Sequence, residues 1–309
     1  MIIGQNLETH VNSVTHMTPI PVPGACDCHV HVIGPQTRYP LVAKRSYTPM
    51  DATADDLIAM MTRAGLDRAV VVQPSVLGED NSCTLDALPQ LQAAGKSGRA
   101  VAVVTSTLSG TQLDAMHQAG VRGLRVNLHS HAGATLDQAQ SAVRQAASLA
   151  ERNGWHLQLF ANRQTLSALK PTAQALGVTV VLDHFAGLSP DALDDADSQA
   201  VLDWLASGQA WIKLSGTYRV CEDAFDARLK PLAQHLARLN PERLVWASDW
   251  PHTPAHAGQP TLNPPVKAYR PLDTVRLRAA VHDWLDAPLA SRVLRDNPAK
   301  LYDFEPLTP

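Results

Sequence analysis

Ala25-Cys26-Asp27-Cys28-His29-Val30-His31-Val32 is the stretch on which the reading of this chain turns. As a β-strand, its period of two puts Asp27, His29 and His31 on one face and Cys26, Cys28 and Val30 on the other. Two imidazoles then point the same way from the strand's C-terminal end, where they can converge on a metal ion or a polarised carbonyl. Two hydrogen-bonded core histidines would look the same locally, so the choice depends on what the rest of the chain brings to that end.

Working outward, strand and helix patterns alternate. A long loop over 34–49 carries Arg38, Tyr39, Arg45 and Tyr47. Thr53 then N-caps a helix over 54–64, whose Leu57, Ile58, Met60 and Met61 recur at helical spacing and which Gly65 closes. Strands are expected over 68–75, 99–105, 123–128, 156–160, 178–184, 211–214 and 244–249, with helices over 85–94, 111–119 and 137–152 and further helical patterns after them. Eight strand-helix units predict an α/β fold, a single (β/α)8 TIM barrel over 24–309 preceded by an N-terminal extension over 1–23. An open doubly wound sheet is the competing architecture, but no Gly-x-Gly-x-x-Gly turn follows the first strand.

Composition narrows the function. The chain has 309 residues, 45% of them hydrophobic, and a formal net charge of -3, which leaves no electrostatic footprint for nucleic acid or an anionic membrane. Cys26, Cys28, Cys83 and Cys221 form no Cys-x-x-Cys pair. Together with the absence of a signal-like or membrane-spanning apolar run, reduced thiols point to a soluble cytoplasmic enzyme. A homo-oligomer is left open.

In a barrel all strand C-termini open on one face, so residues there are neighbours in space. His29 and His31 end the first strand, Gln73 and Ser75 the second, His184 the sixth and Asp249 the eighth. Arg125 and Asn127 lie on the fourth, His156 and Gln158 on the fifth. His29, His31, His184 and Asp249 can ligate a catalytic Zn²⁺ or act without metal. Arg125, between Leu124 and Val126, must pair or face a ligand anion, because an unpaired buried charge costs several kcal/mol or more. Arg219, in the loop after the seventh strand, reads as an ordinary solvated loop arginine or a weaker site candidate. The Pro-rich stretch 251–271 reads as a lid or substrate wall.

Asp27-Cys28-His29-Val30-His31, Val72-Gln73-Pro74-Ser75, Gly120-Val121-Arg122-Gly123-Leu124-Arg125, Gly154-Trp155-His156-Leu157-Gln158, Asp183-His184, Lys213-Leu214-Ser215-Gly216 and Trp246-Ala247-Ser248-Asp249-Trp250-Pro251-His252 together resemble the amidohydrolase superfamily, in the branch of 2-pyrone-4,6-dicarboxylate lactonase and related lactonases. The resemblance implies a barrel that hydrolyses a small lactone in aromatic or sugar-acid catabolism. It implies catalysis by His29, His31, His184 and Asp249, with Asp249 as general base, substrate contacts from Tyr47 and Ser75, and a substrate carboxylate on Arg125. Asn127, His156, Gln158, Arg219 and His252 complete the candidate substrate-binding set. The dicarboxylate pattern has a second arginine six residues after the first, where this chain has His131, a weaker and pH-dependent anion holder. Both a mono- and a dicarboxylate substrate are therefore left open. No lysine on the fourth strand can bridge two metals. The expectation is that no cofactor is required, with one divalent ion, Zn²⁺, at His29, His31, His184 and Asp249 as the alternative. A metal-dependent decarboxylase, a lactone isomerase and a non-enzymatic binding protein are the rival functions.

Overall fold

The computed structural model describes residues 19–104, 108–129, 135–254 and 260–305. His131 and most of the N-terminal extension lie outside them. Eight strands, β1 (Cys26–Val30), β2 (Arg68–Val72), β3 (Ser97–Ala102), β4 (Val121–Asn127), β5 (His156–Phe160), β6 (Val180–Leu182), β7 (Ala210–Leu214) and β8 (Leu244–Trp246), pair in parallel with their sequence neighbours. The sheet closes where the segment after β8 returns to β1: Asp249 N donates to His29 O (3.0 Å) and His31 N to Trp250 O (2.8 Å). This is the expected (β/α)8 barrel.

Alternation along the strands builds two apolar layers. Ala69, Val71, Leu157, Leu159, Leu182, Ile212 and Leu214 pack outward with the helices, while Val70, Val72, Val101, Val181, Trp211 and Val245 fill the lower interior. The helix over Ala54–Ala64 (α1) matches the expected bounds. Thr53 and Asp56 form a capping box, Leu57, Met60, Met61 and Ala64 are buried, and Gly65 ends it in the left-handed region at φ 63°.

Strand β1 departs from the simple period. Cys26 and Cys28 belong to the interior cluster, with their sulfurs 3.7 Å apart, yet His29 and His31 also face the axis. The register slips between Asp27 and Val30, and this irregularity lets all four side chains turn inward. Asp27 is not on the histidines' face; its Oδ1 accepts from Ser248 N (2.9 Å) and His29 N (3.2 Å), tying β1 to the closing segment.

Strands β2, β6 and β8 end earlier than the apolar runs suggest, because the residues that follow leave the ladder to build the barrel mouth. His184, Phe185, Ala186 and Asp249 have φ of 54°, 52°, 56° and 62°, a left-handed conformation that costs a non-glycine residue of order 1–3 kcal/mol and clusters at functional sites. At the opposite end the chain's last helix, α2 (Asn297–Tyr302), closes the floor. Arg99 Nε donates to Tyr302 O (3.2 Å) and Arg68 Nη2 to Glu305 O (2.6 Å), and both guanidinium groups lie over the Phe304 ring.

Candidate active site

Four side chains meet at the mouth. Asp249 Oδ1 lies 3.7 Å from His29 Nε2, 3.7 Å from His31 Nε2 and 3.9 Å from His184 Nε2, and the two Nε2 atoms of His29 and His31 are 3.3 Å apart. All four residues are buried. Gly216 makes room for this packing. At φ 56° a Cβ there would stand 2.6 Å from His184 Nδ1, so both the backbone angle and the ring demand glycine.

The two oxygens of Asp249 have different surroundings. Oδ2 accepts from Arg219 Nε (2.8 Å) and Tyr218 Oη (2.7 Å) and pairs with Arg219 Nη2 (2.7 Å), whereas buried Oδ1 has no hydrogen-bond partner among the described residues. Burial works against the charge, but the Arg219 guanidinium holds this carboxyl well below the usual range. Burial, reinforced by Arg125, lowers His31 to about 4; burial also lowers His184 to about 3 and His29 well below its ordinary value. All three rings are neutral at pH 7.

The backbone fixes one tautomer. His31 Nδ1 donates to Val72 O (2.7 Å), so its Nε2 turns a lone pair toward Asp249 Oδ1, whereas His29 Nδ1 lies 3.2 Å from the Asp183 carboxylate and 3.3 Å from the Lys213 ammonium. His184 Nδ1 lies 3.0 Å from Ser215 Oγ. The His31 lone pair and the Asp249 carboxylate oxygen, 3.7 Å apart, repel one another unless a cation stands between them. Ligands about 2.0–2.1 Å from a tetrahedral Zn²⁺ are separated from one another by roughly 3.3 Å, close to the spacings here. The ligating atoms of His29, His184 and Asp249 all lie within 4.8 Å of one another, so the donor set fits one divalent ion. In this tautomer His31 has no Nε2 proton to offer an oxyanion, which tells against the imidazoles acting directly as donors.

Beneath the cluster is a buried charged layer. Asp183 lies beside His29 Nδ1 and receives Gln158 Nε2 (3.0 Å) and the ammonium of Lys213 (3.4 Å), and Lys213 also donates to Gln158 Oε1 (2.7 Å). Burial opposes ionisation of Asp183, but His29 and Lys213 keep its carboxyl well below the usual range. Arg125 Nε approaches Asp183 Oδ2 at 3.9 Å, and Nη1 donates to Gln73 O (3.1 Å).

Tyr47, Ser75, Arg125, Asn127 and Arg219 line one small cavity of about 20 Å³ with His31, His184 and Asp249. Arg219 corrects the solvated alternative: its side chain is 13% exposed and holds Asp249. Gln158 lies in the layer below. His156 is farther down, edge-on to Tyr302 with ring centroids 5.3 Å apart, and its ring covers Gly123, where a Cβ would come within 2.4 Å. His252 is behind Tyr218, its Nε2 2.9 Å from Thr274 Oγ1, and does not line the cavity. Asp183, Lys213, Tyr218 and Phe160 are the residues that sequence reasoning did not assign to the site. Lys213 carried a usable signal: a charge in the buried run Trp211-Ile212-Lys213-Leu214 needs partners for the reason applied to Arg125.

The two long loops cover one side of the mouth. Lys44–Arg45 pairs antiparallel with Thr261–Leu262, and Thr48 Oγ1 donates to Pro264 O. A second chamber of about 350 Å³ opens beside Phe160, lined also by His129, Asn162, Tyr218 and Arg270, and shares Phe160, His184 and Arg219 with the small cavity.

Comparison with known proteins gives a consistent picture. Residues 26–304 match the Amidohydrolase family (Amidohydro_2). The 4-sulfomuconolactone hydrolase of Hydrogenophaga intermedia is 31% identical over 253 residues, 80% of each chain, and the 2-pyrone-4,6-dicarboxylate hydrolase of Comamonas testosteroni is 31% identical over 293 residues, 90% of each. The crystal structure of a probable 2-pyrone-4,6-dicarboxylic acid hydrolase from Acinetobacter baumannii, with citric acid bound, superposes with a TM-score of 0.73 at 27% identity, covering 91% of this chain and 100% of that one.

Proposed function

The chain belongs to the amidohydrolase family, and from that premise we propose that it is a hydrolase that opens a small lactone bearing a carboxylate, with Asp249 as the proton-transferring group. The observation that carries the reading is Asp249 Oδ1, buried and without a hydrogen-bond partner among the described residues, facing three neutral imidazoles beside Arg125. Four reduced cysteines and a small-molecule substrate fit an enzyme of the cytoplasm.

Each residue has a defined task. Arg125, whose buried Nε has no hydrogen-bond partner among the described residues, holds the substrate carboxylate and fixes the ring over the cluster. Arg219 and Tyr218 immobilise Asp249 through Oδ2, so Oδ1 alone is left to take the proton of the attacking water. Water adds to the acyl carbon, the ring C–O bond breaks, and the proton passes to the departing ring oxygen, giving an open-chain acid. A carboxylate held at low pKa is a weak base, so the attacking water has to be made more acidic. A divalent ion held by His29, His184 and Asp249, with His31 alongside, would supply Lewis acidity there and lower the pKa of water from 15.7 toward about 7. The lone pair on His31 Nε2 and the spacing of the donor set support the one-ion alternative over the expectation that no cofactor is required.

Titration of acid released from a panel of lactones tests the activity. Proton release matching ring opening is expected; release of CO₂ would mark a decarboxylase, ring migration without acid an isomerase, and binding without turnover a binding protein. Dialysis against a chelator should lower kcat at least tenfold, with Zn²⁺ restoring it. Full activity in metal-free protein would reject the ion.

A further inference from the structure

Guanidinium groups and aromatic rings alternate across the mouth. The Arg125 Cζ lies 5.8 Å from the Phe160 ring centroid, which is 5.7 Å from the Arg219 Cζ; that carbon is 5.2 Å from the Tyr218 ring, and the Arg270 Cζ lies 4.8 Å from the same ring. The three cations of this row are compensated very unequally. Arg219, in the middle, is neutralised by Asp249. At the inner end Arg125 has only a distant carboxylate, 3.9 Å away. At the outer end Arg270 makes no ion pair among the described residues, and its buried Nε has no hydrogen-bond partner there.

The two ends of the row open on different spaces. Arg125 faces the small cavity with Asp249, and Arg270 lines the 350 Å³ chamber on the other side of Phe160, where His184 and Arg219 are common to both walls. A guanidinium with an unused donor beside a chamber is an anion site, because an arginine that gains a carboxylate forms two parallel charge-assisted bonds. The backbone already fixes its position: Arg270 N donates to His252 O at 2.8 Å.

The geometry points to Arg270 as a second anion-binding residue of the same site, holding a carboxylate or sulfonate that projects from the substrate ring past Phe160 into the outer chamber. This deepens the lactone reading and rests on it for the nature of the molecule that carries the anion. A substrate with two anionic groups is then recognised at both ends of the row, by Arg125 within and Arg270 without, and the histidine at position 131 is not needed for the second charge.

Binding can be separated from turnover. With the full-length protein as purified, calorimetry with isophthalate and benzoate compares a dianion with a monoanion of the same ring. Arg270→Met should weaken isophthalate about tenfold or more and leave benzoate within about twofold, whereas Arg125→Met should weaken both. Arg270→Lys, which keeps the charge, should recover part of the isophthalate affinity and guards against a folding defect in the methionine variant. With lactones, Arg270→Met should raise KM about tenfold for a dianionic substrate at nearly constant kcat, with no change for a monoanionic one. Equal losses for both probes, or none, would overturn the assignment. If Arg270 discriminates the probes but no lactone is opened, Arg270 stands and the lactonase reading falls. If lactones are opened and the variant keeps the wild-type ratio, the reverse holds.

Discussion

The upper and lower halves of the barrel interior are made by the same eight strands and are chemically opposite. Below, Cys26, Cys28, Val70, Val72, Val101, Val181 and Trp211 pack against Tyr302. Above, His29, His31, Asp183, His184, Lys213 and Asp249 are equally buried but ionisable. The change takes only two residues along the chain: Trp211 to Lys213, Val181 to Asp183, Ala247 to Asp249. Depth in the barrel therefore separates stability from chemistry, and a substitution's level should decide which of the two it damages.

The largest effect expected is in the lower half. Tyr302→Ala empties a fully buried aromatic site and should cost about 3–5 kcal/mol in denaturant unfolding, with kcat/KM unchanged while the protein is folded. A comparable fall in kcat/KM would erase the division between the halves. Next is Asp249→Asn in the upper half, which keeps the shape and removes the base: kcat should drop about 10²-fold or more, equivalent to about 2.7 kcal/mol, with substrate still bound. Near-wild-type turnover would move proton transfer to another group.

The smallest effect sharpens the boundary itself. Burial raises the carboxyl of Asp27 to about 7, despite the Ser248 and His29 donors. The native state thus holds this proton more tightly than the unfolded chain, whose aspartate titrates near 3.9, so stability falls as pH rises from about 4 to about 7 and then levels off. Asp27→Asn is neutral throughout and should lose that slope, gaining about 1–2 kcal/mol on the wild type between pH 5 and 6.5 in urea unfolding. Parallel pH profiles for the two proteins would show that Asp27 stays ionised.

How much of this could be read from the chain follows from the same two levels. His29, His31, His184 and Asp249 were legible because a barrel brings strand ends together whatever their separation in sequence, and Arg125 because a charge flanked by Leu124 and Val126 has to be compensated. Lys213 and Asp183 were open to the same argument. The irregularity in β1 was not legible: a period of two cannot reveal a slip in register, so Asp27 was placed on the histidines' face and the cysteines opposite. Nor could sequence show that the loop after β7 folds Arg219 back onto Asp249, or that His156, at the start of β5, sits too low to reach the mouth. Those depend on where each strand begins relative to the barrel axis, which local pattern leaves unspecified.

The floor described above also decides what a shortened gene product can do. A chain cut after Leu294 would contain every strand of the barrel and all four clustered mouth residues, yet Arg68, Arg99 and Arg122 would lose the carbonyls and the carboxylate they hold at Tyr302, Asp303 and Glu305. Water would then have access to Cys26, Cys28 and Trp211 from beneath. Removal of this segment would therefore abolish activity by unfolding the barrel, with the four clustered mouth residues still present.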